Sequence, residues 1–337
     1  MRVLITGVHG FVGSNLVEYL KKEHTIYGLD IVQPEKDGVV RTFGWEEITG
    51  QAGNDESQAG TADVPKFDAI IHLAGKAHDT KNQAAAEAYF AVNTGLTQKI
   101  FDYFLTSGAK KFIFFSTAKA AADRVDGVLT EDVVPAPVGP YGESKIKAEE
   151  YILSRFNDED SSASLGMTCE KSFYILRPCM IHGPGNKGNL NLLYNVVSKG
   201  IPWPLGAFDN RRTFTSVENV CFAVNGLLNE DVPSGIYNMG DDEALSTNEL
   251  IEIICSSVGK KARIWRIPVG LMTFGAKVGG WLHLPLNPER LRKLTENYVS
   301  SNEKIKKALG IAEMPVSARE GLQRTIASFT DVKTSER

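Results

Sequence analysis

Val3-Leu4-Ile5-Thr6-Gly7-Val8-His9-Gly10-Phe11-Val12-Gly13-Ser14-Asn15-Leu16 is the stretch on which the reading of the whole chain turns. Arg2 to Thr6 is mostly apolar and predicts a buried strand. Gly7 breaks it. From Phe11 onward, Val12, Leu16, Val17 and Leu20 recur at helical spacing. A strand, a glycine-rich turn and a helix in that order make a phosphate cradle. The first backbone N–H groups of such a helix are unpaired and carry partial positive charge, so they bind a pyrophosphate. Gly7 permits the tight turn, Gly10 lets the backbone approach the phosphates, and Gly13 lets the helix pack close to the strand. The spacing is G-x-x-G-x-x-G, not the G-x-G-x-x-G of the general fingerprint, so three glycines alone are a weak signal.

The next element strengthens it. Thr25-Ile26-Tyr27-Gly28-Leu29-Asp30 reads as a second short strand ending in a carboxylate, 23 residues after Gly7. An acid at that position accepts hydrogen bonds from the adenosine ribose hydroxyls and repels a 2′-phosphate. Ile31, Val32, Gln33 and Pro34 follow it, with no Arg or Lys directly after. The expected cofactor is therefore NAD rather than NADP.

The 337 residues, 42% hydrophobic and 23% charged, are those of a globular protein with ample core. A formal net charge of −4 offers no overall basic field for nucleic acid or an anionic membrane. Cys169, Cys179, Cys221 and Cys255 form no C-x-x-C pair, and they suit buried thiols in a reducing compartment better than a disulfide frame or a zinc site. With a first strand beginning at residue 2 and no secretory signal ahead of it, the expectation is a cytoplasmic protein. No run is long and apolar enough to span a bilayer. The nearest, Trp265 to Leu286, is interrupted by Arg266, Lys277, His283 and two prolines. It is read as a strand end followed by a packed helix, with a membrane-surface contact as the alternative.

Strand and helix alternate through the first half, the pattern of a parallel sheet covered on both faces. Val39–Phe43 is a candidate third strand, and Gly44–Lys66 a loop with a weak helix. Trp45 stands where an adenine ring could rest, with core packing the equal alternative. A fourth strand ends in the turn His72-Leu73-Ala74-Gly75-Lys76, Gln83–Thr106 is a long helix containing Asn93, and Lys110–Ser116 is a fifth strand. Pro140 signals a helix start at Tyr141. Asn157–Thr168 reads as a surface loop, Lys171–Arg177 as a sixth strand, Gly235–Met239 as one more, and Leu245–Ala327 as mostly short helices. The expected architecture is α/β, a Rossmann-type doubly wound parallel sheet with a smaller, mostly helical C-terminal substrate domain. Residues 1–178 form the dinucleotide-binding domain, with 213–240 returning to it. Residues 179–212 and 241–330 form the substrate domain, and 331–337 a frayed tail.

Tyr141-Gly142-Glu143-Ser144-Lys145 is the sharpest local signal. Positions i and i+4 of a helix face the same way, so the phenol and the ammonium lie side by side. A cation near a phenol lowers its pKa from about 10, and a phenolate nearer neutrality can take a proton from a sugar hydroxyl. A surface Tyr/Lys pair is the bland alternative, which the phosphate cradle and the alternating strands argue against. Ser116 and Thr117 follow the fifth strand, and ligands bind beyond the carboxyl ends of strands in an open parallel sheet. A hydroxyl there can share the charge developing on a reacting oxygen. Thr117 is the preferred candidate, with Ser116 nearer the backbone.

Taken together, the Gly7/Gly10/Gly13 turn, His72-Leu73-Ala74-Gly75, Asn93, Ser116-Thr117, Tyr141/Lys145 and Arg177-Pro178 make this chain resemble the extended short-chain dehydrogenase/reductases. Within them it resembles the nucleotide-sugar epimerase/dehydratase group that includes UDP-glucose 4-epimerase. The resemblance implies a catalytic set of Thr117, Tyr141 and Lys145, with Lys145 also holding the nicotinamide ribose. It implies cofactor contacts from Phe11, Val12, Asp30, Leu73, Ala74, Gly75, Asn93, Ser116 and Pro178. The stretch from Gly188 to Arg212 resembles a subgroup of bacterial polysaccharide gene sets, implying Asn189 and Arg212 against the nucleotide diphosphate of a UDP-sugar. Lys76 is a further substrate-side candidate, and Lys187 and Arg292 are weaker ones. A homodimer through helices of the first domain is likewise an implication of family.

Two departures bear on specificity. His182 stands where such proteins often carry a tyrosine, and Ala120-Ala121-Ala122-Asp123 replaces the usual turn after the hydroxyl pair; both are expected to line the sugar region. Thr117 is followed by Ala118 and Lys119 where 4,6-dehydratases of the family carry two acids, which argues against that elimination chemistry. The expected activity is an NAD-dependent nucleotide-sugar 4-epimerase. The alternative is an NAD(P)H-dependent reductase of a UDP-4-keto-6-deoxy-N-acetylhexosamine using the same residues. A silent dinucleotide sensor is a third possibility, against which the intact Tyr141/Lys145 pair argues.

Overall fold

The structure is a computed structural model that describes residues 1–50, 64–77, 85–163, 171–186, 188–282 and 287–335. The first half alternates as the apolar runs predict. In chain order come β1 (Arg2–Thr6), α1 (Phe11–Leu20), β2 (Thr25–Leu29), β3 (Val39–Phe43), the short α2 (Trp45–Thr49), β4 (Ala69–His72) and α3 (Ala86–Tyr89). A π-helical turn, Phe90–Gly95, carries α3 into α4 (Leu96–Thr106); β5 (Lys111–Phe115), the single turn α5 (Ala118–Ala121), β6 (Val128–Leu129) and the long α6 (Pro140–Ala163) follow. Next are β7 (Ser172–Pro178), β8 (Met180–His182), α7 (Asn189–Val197), β9 (Arg212–Ser216), α8 (Val217–Asn229) and β10 (Gly235–Met239).

Seven of these strands make one sheet in the order β10-β7-β5-β4-β1-β2-β3, every pairing parallel. The order reverses between β1 and β4, which opens a crevice at their carboxyl ends. Alternate side chains feed two separate cores, because successive residues of a strand face opposite ways. Val3, Ile5, Ile71 and Ile113 meet Leu16, Val17 and Leu20 of α1 and Val220, Val224 and Leu227 of α8 on one face. Leu4, Ile70, Phe112 and Phe114 meet Ile100, Phe101 and Phe104 of α4 and Ala148 and Ile152 of α6 on the other. Burial on both faces is why these strands read as continuous apolar runs and not as alternation.

The rest of the chain builds a smaller unit. It comprises β11 (Ala244–Leu245), α9 (Thr247–Ser257), α10 (Val269–Trp281), α11 (Pro288–Thr295), β12 (Val299–Ser300) and, beyond α12 (Glu303–Ala308), which packs on β10 and sets Ile305 in the first core of the large sheet, α13 (Ala318–Ser335). A three-stranded sheet, β11-β9-β8, and a parallel pair, β12-β6, complete it. Of the stretch 213–240, α8 packs on α1 and β10 extends the main sheet, whereas β9 lies in the small sheet. Leu250, Ile251 and Ile254 of α9 and Leu322 and Ile326 of α13 supply its core.

Three local expectations need correction. Asn157 does not begin a loop: α6 runs on to Ala163, and residues 164–168 fall outside the described residues. From Asp331 the expected frayed tail is helical as far as Ser335, where α13 ends, and residues 336–337 fall outside the described residues. The helix after Trp265 exists as α10, but it is not packed as expected. Only Ala276 and Gly279 are buried on it, while Leu271, Phe274 and Trp281 are exposed. Trp45 adopts the packing alternative, edge-on to His72 with ring centroids 6.3 Å apart and against the core beneath α4. Cys179, Cys221 and Cys255 are free and buried, and Cys169 lies outside the described residues.

Candidate active site

The glycine turn has the geometry of a phosphate cradle. Gly7 sits at φ +69°, and a Cβ there would lie 3.0 Å from the Ala74 nitrogen; at Gly13 it would lie 2.5 Å from the Gly7 carbonyl oxygen. Only glycine satisfies both positions. Gly10 caps α1 in an extended conformation with no side-chain bond to the helix, and the first turn of α1 holds no acid. The first N–H groups of α1 are thus left for an anion. Asp30 stands at the end of β2, accepting from the His9 N–H at 3.3 Å and the Ile31 N–H at 2.8 Å. Its carboxylate therefore faces the turn. Phe11 lies against Gly183 and Gly185 of the loop after β8, and Val12 packs on the first core.

The floor beyond β4 is set by buried polar groups. The Thr6 hydroxyl accepts from the N–H groups of Leu73 and Ala74 at 3.1 and 3.0 Å, and shares a 2.7 Å bond with His72 Nδ1. His72 Nε2 meets the Thr97 hydroxyl at 3.0 Å. Burial, then the charge of Lys145, holds the His72 pKa well below its usual value, so the ring is neutral. Asn93 sits in the π-helical turn, fully buried. It clamps Lys76 by accepting from its N–H at 2.7 Å and donating to its carbonyl at 3.1 Å, and it donates to the Ser144 hydroxyl at 2.9 Å. A Cβ on Gly75 would lie 3.0 Å from Asn93 Oδ1 and 3.2 Å from Lys145 Nζ, so Gly75, Asn93 and Lys145 converge.

Around β5 the two adjacent hydroxyls part. Strand alternation turns Ser116 inward, where it donates to the Glu149 carboxylate. Glu149 is held by Arg177, whose Nη2 donates to it at 2.6 Å, both side chains being fully buried. Thr117 faces the other way, caps α5 by accepting from the Lys119 N–H, and stands near enough to the Tyr141 phenol to influence its pKa. Lys145 Nζ donates to the Phe115 carbonyl at 2.8 Å. Burial pulls its pKa down to about 8, with the Glu149 charge opposing. Pro178 ends β7 at the same edge, buried.

One expectation about Tyr141 does not hold here. Its pKa is raised, not lowered: burial dominates, the Thr117 hydroxyl opposes it, and Tyr89 adds to it. The ammonium of Lys145 donates to a main-chain carbonyl instead, and desolvation of the phenol sets the direction.

The substrate-side candidates are spread more widely. Lys76 Nζ lies 5.7 Å over the Tyr89 ring, which stacks edge-on to Tyr141 at 6.4 Å. Arg212 donates Nε to the Glu296 carbonyl at 3.3 Å and Nη2 to that of Lys293, tying β9 to the end of α11. Burial lowers its pKa, with Glu296 opposing. Arg292 lies 4.0 Å from Asp123, which also pairs with Lys119 at 3.2 Å, so it is not a purely solvated charge. Of Asn189 only the helical backbone is described, and Lys187 lies outside the described residues. His182 does not line the sugar region: it is wholly buried, with Nδ1 2.9 Å from the Thr325 hydroxyl of α13. Ala120 and Ala121 are likewise buried.

Sequence reasoning missed Glu149, Tyr89 and Tyr298. Glu149 had a signal, being four residues after Lys145 on the same helix face. Tyr89 and Tyr298 had none. Tyr298 donates to the Ala122 carbonyl at 2.9 Å and lies under Lys119.

A parallel sheet with a glycine cradle, an acid after the second strand and a Thr/Tyr/Lys cluster at its carboxyl edge defines a dinucleotide-binding protein of the extended short-chain dehydrogenase/reductase type. The chain belongs to the NAD dependent epimerase/dehydratase family, whose profile matches residues 3–240. It is 27% identical over 344 residues to a UDP-glucose 4-epimerase of Vibrio cholerae, covering 97% of this chain and 95% of that one. It is 26% identical over 340 residues to an N-acetyl-alpha-D-glucosaminyl-diphospho-ditrans,octacis-undecaprenol 4-epimerase of Escherichia coli O157:H7, covering 96% and 94%. The solved UDP-glucuronic acid 4-epimerase of Bacillus cereus in complex with NAD shares the fold, with a TM-score of 0.70, 18% identity and coverage of 98% and 99%. NAD is the cofactor of the family, and the turn, Asp30 and the Gly75/Asn93/Lys145 cluster fit it.

Proposed function

We propose that this protein is an NAD-dependent nucleotide-sugar 4-epimerase acting on UDP-glucose and UDP-galactose or their N-acetyl forms. The observation that carries the reading is the meeting of Thr117 and Tyr141 beside buried Lys145, at the sheet edge that also holds the glycine turn. Gly7, Gly10, Phe11, Val12, Gly13 and Asp30 hold the adenosine and pyrophosphate of NAD; Leu73, Ala74, Gly75, Asn93, Ser116, Lys145 and Pro178 border its nicotinamide end. When bound, NAD would supply a reversible hydride acceptor for oxidation at sugar carbon 4, and the residues named above would hold it. Tyr141 takes the proton of the 4-hydroxyl and returns it. The Thr117 hydroxyl holds the same oxygen and partly opposes the rise that burial imposes on the phenol pKa. Lys145 fixes the ribose and supplies positive charge. Lys76, Asn189 and Arg212 are assigned to the UDP portion.

A cytoplasmic homodimer through helices of the NAD-binding unit completes the reading. Among the described residues no helix is long and apolar enough to cross a membrane. The test is incubation of the purified protein with a panel of UDP-sugars, with and without added NAD(P)H. The expected result is interconversion of carbon-4 epimers with no net consumption of dinucleotide. Stoichiometric NAD(P)H consumption with a 4-keto sugar would select the reductase instead. Protein that carries no dinucleotide and leaves every sugar unchanged would end the proposal.

A further inference from the structure

The helix α10 presents an unusual surface. Leu271, Phe274, Val278 and Trp281, spaced at intervals of three and four residues, lie along one side and are 61, 66, 36 and 81% exposed. Trp265 before the helix and Leu282 after it are 57 and 53% exposed. The opposite side is anchored: Ala276 packs with Leu205 and Leu291, and Gly279 is buried. The helix is therefore held by the protein while its apolar face is turned to solvent. It holds no acid and contains four glycines, so it is a weak helix on its own.

Charge identifies the occupant. From Lys260 to Thr295 the chain carries eight lysines and arginines and one acid, Glu289, although the whole protein has a formal net charge of −4. A hollow of about 410 Å³ is lined by Lys199, Lys260, Lys261 and Arg263, with no acid among its lining residues, and Arg263 is two residues from Trp265. Lys277 is exposed in the middle of α10. An apolar strip with tryptophans at both ends, flanked by cations, has the composition of a segment seated at a lipid–water interface. At 1.5 Å per residue α10 is about 20 Å long, too short to cross a bilayer of about 30 Å, so it would lie in the plane of the surface.

We propose that α10 and its basic flanks dock this protein on the surface of an anionic phospholipid bilayer. The inference does not rest on the sugar chemistry. The experiment is co-sedimentation of the full chain with vesicles of phosphatidylcholine alone and of phosphatidylcholine with phosphatidylglycerol, with tryptophan emission followed in parallel. Native protein pellets with the anionic vesicles, its emission shifts to the blue as Trp265 and Trp281 leave water, and high salt weakens the binding. Phe274→Glu/Trp281→Glu binds at least tenfold more weakly with turnover of soluble nucleotide sugars unchanged. Lys277→Glu, which leaves the apolar strip intact, also weakens binding, by about fivefold or more. Native protein that stays in the supernatant with anionic vesicles overturns the proposal. So does a native dimer that the double variant converts to monomer in the ultracentrifuge without any vesicle binding, which would make the face a subunit contact.

Discussion

Replacing Glu149 by Gln should separate two jobs done by one buried carboxylate. In the native protein Glu149 accepts from Arg177 and from Ser116, and both ion-pair side chains are essentially out of water, at 2% and 0% exposure. The amide keeps the shape but removes the charge, leaving the Arg177 guanidinium buried without a counter-ion. Breaking a buried pair in this way costs about 3–5 kcal/mol, which lowers the melting temperature by roughly 4–7 °C in a chain of this size. The second job concerns Lys145. Its pKa is about 8, the outcome of burial pulling down and Glu149 holding up. Without Glu149 it falls further. A lysine loses its charge as pH rises through its pKa, so the ammonium that borders the reacting centre disappears at lower pH in the variant. The alkaline limb of kcat against pH should move toward neutrality, and the ratio of native to variant rate should widen as pH rises toward about 8.

The double variant Glu149→Gln/Arg177→Met separates the two effects. It removes the orphaned charge, so the melting temperature recovers, while the alkaline limb stays displaced because Lys145 still lacks its carboxylate. Thermal unfolding followed by circular dichroism and a pH series of steady-state turnover read both. An alkaline limb that does not move in either variant would refute the link between Glu149 and Lys145. An unchanged melting temperature in the single variant would refute the account of the buried pair.

Three further outcomes follow from the site. Tyr141→Phe should reduce kcat by about 10²–10⁴-fold, the worth of a positioned acid–base group, with the NAD dissociation constant little changed; near-native turnover would remove Tyr141 from the role proposed for it. Gly13→Ala puts a methyl 2.5 Å from the Gly7 carbonyl oxygen, so it should abolish NAD binding measured by calorimetry or leave the protein unable to fold, and a variant that binds NAD normally would show the turn to be looser than drawn. Asp30→Ala should weaken NAD more than NADP, because it removes the acceptor for the ribose hydroxyls and the repulsion of a 2′-phosphate together; an unchanged NAD to NADP ratio would count against the carboxylate.

Much of the architecture was legible because the physics that writes it is local. Strands buried on both faces must be apolar throughout, and Ile70, Ile71, Phe112 and Ile113 are, with helical spacing between them. The Tyr141/Lys145 pair and the glycine turn were legible for the same reason, since each is set by a fixed offset along the chain. What could not be read depends on partners far away in sequence. Arg212 offered a guanidinium for a diphosphate, but nothing near it in sequence shows that carbonyls more than 80 residues later anchor two of its nitrogens. His182 looked like a substrate-side substitution, yet Thr325 on the last helix makes it part of the core. The direction of the Tyr141 pKa was misjudged because helical spacing reports a neighbouring cation and says nothing about desolvation. The apolar residues of α10 promised a packed helix, but which side of a helix finds a partner is decided by the rest of the fold.

The choice between Ser116 and Thr117 shows how topology settles what composition leaves open. Two hydroxyls side by side at the end of β5 are chemically near-equivalent. The alternation of an extended chain sends one to each side of the sheet edge, and the sides differ. Behind β5 stands α6, and its Glu149 accepts a hydrogen bond from Ser116 within a buried network with Arg177. In front, Thr117 caps α5 and meets Tyr141 from the first turn of that same α6. One helix thus supplies the phenol, the ammonium and the carboxylate beneath them at positions 141, 145 and 149, a spacing of four that keeps all three on one side. A substrate oxygen entering from the crevice would meet Thr117 and Tyr141 and not Ser116. Exchanging the two roles would require β5 to slip by one residue, which would turn Phe112, Ile113 and Phe114 out of their cores.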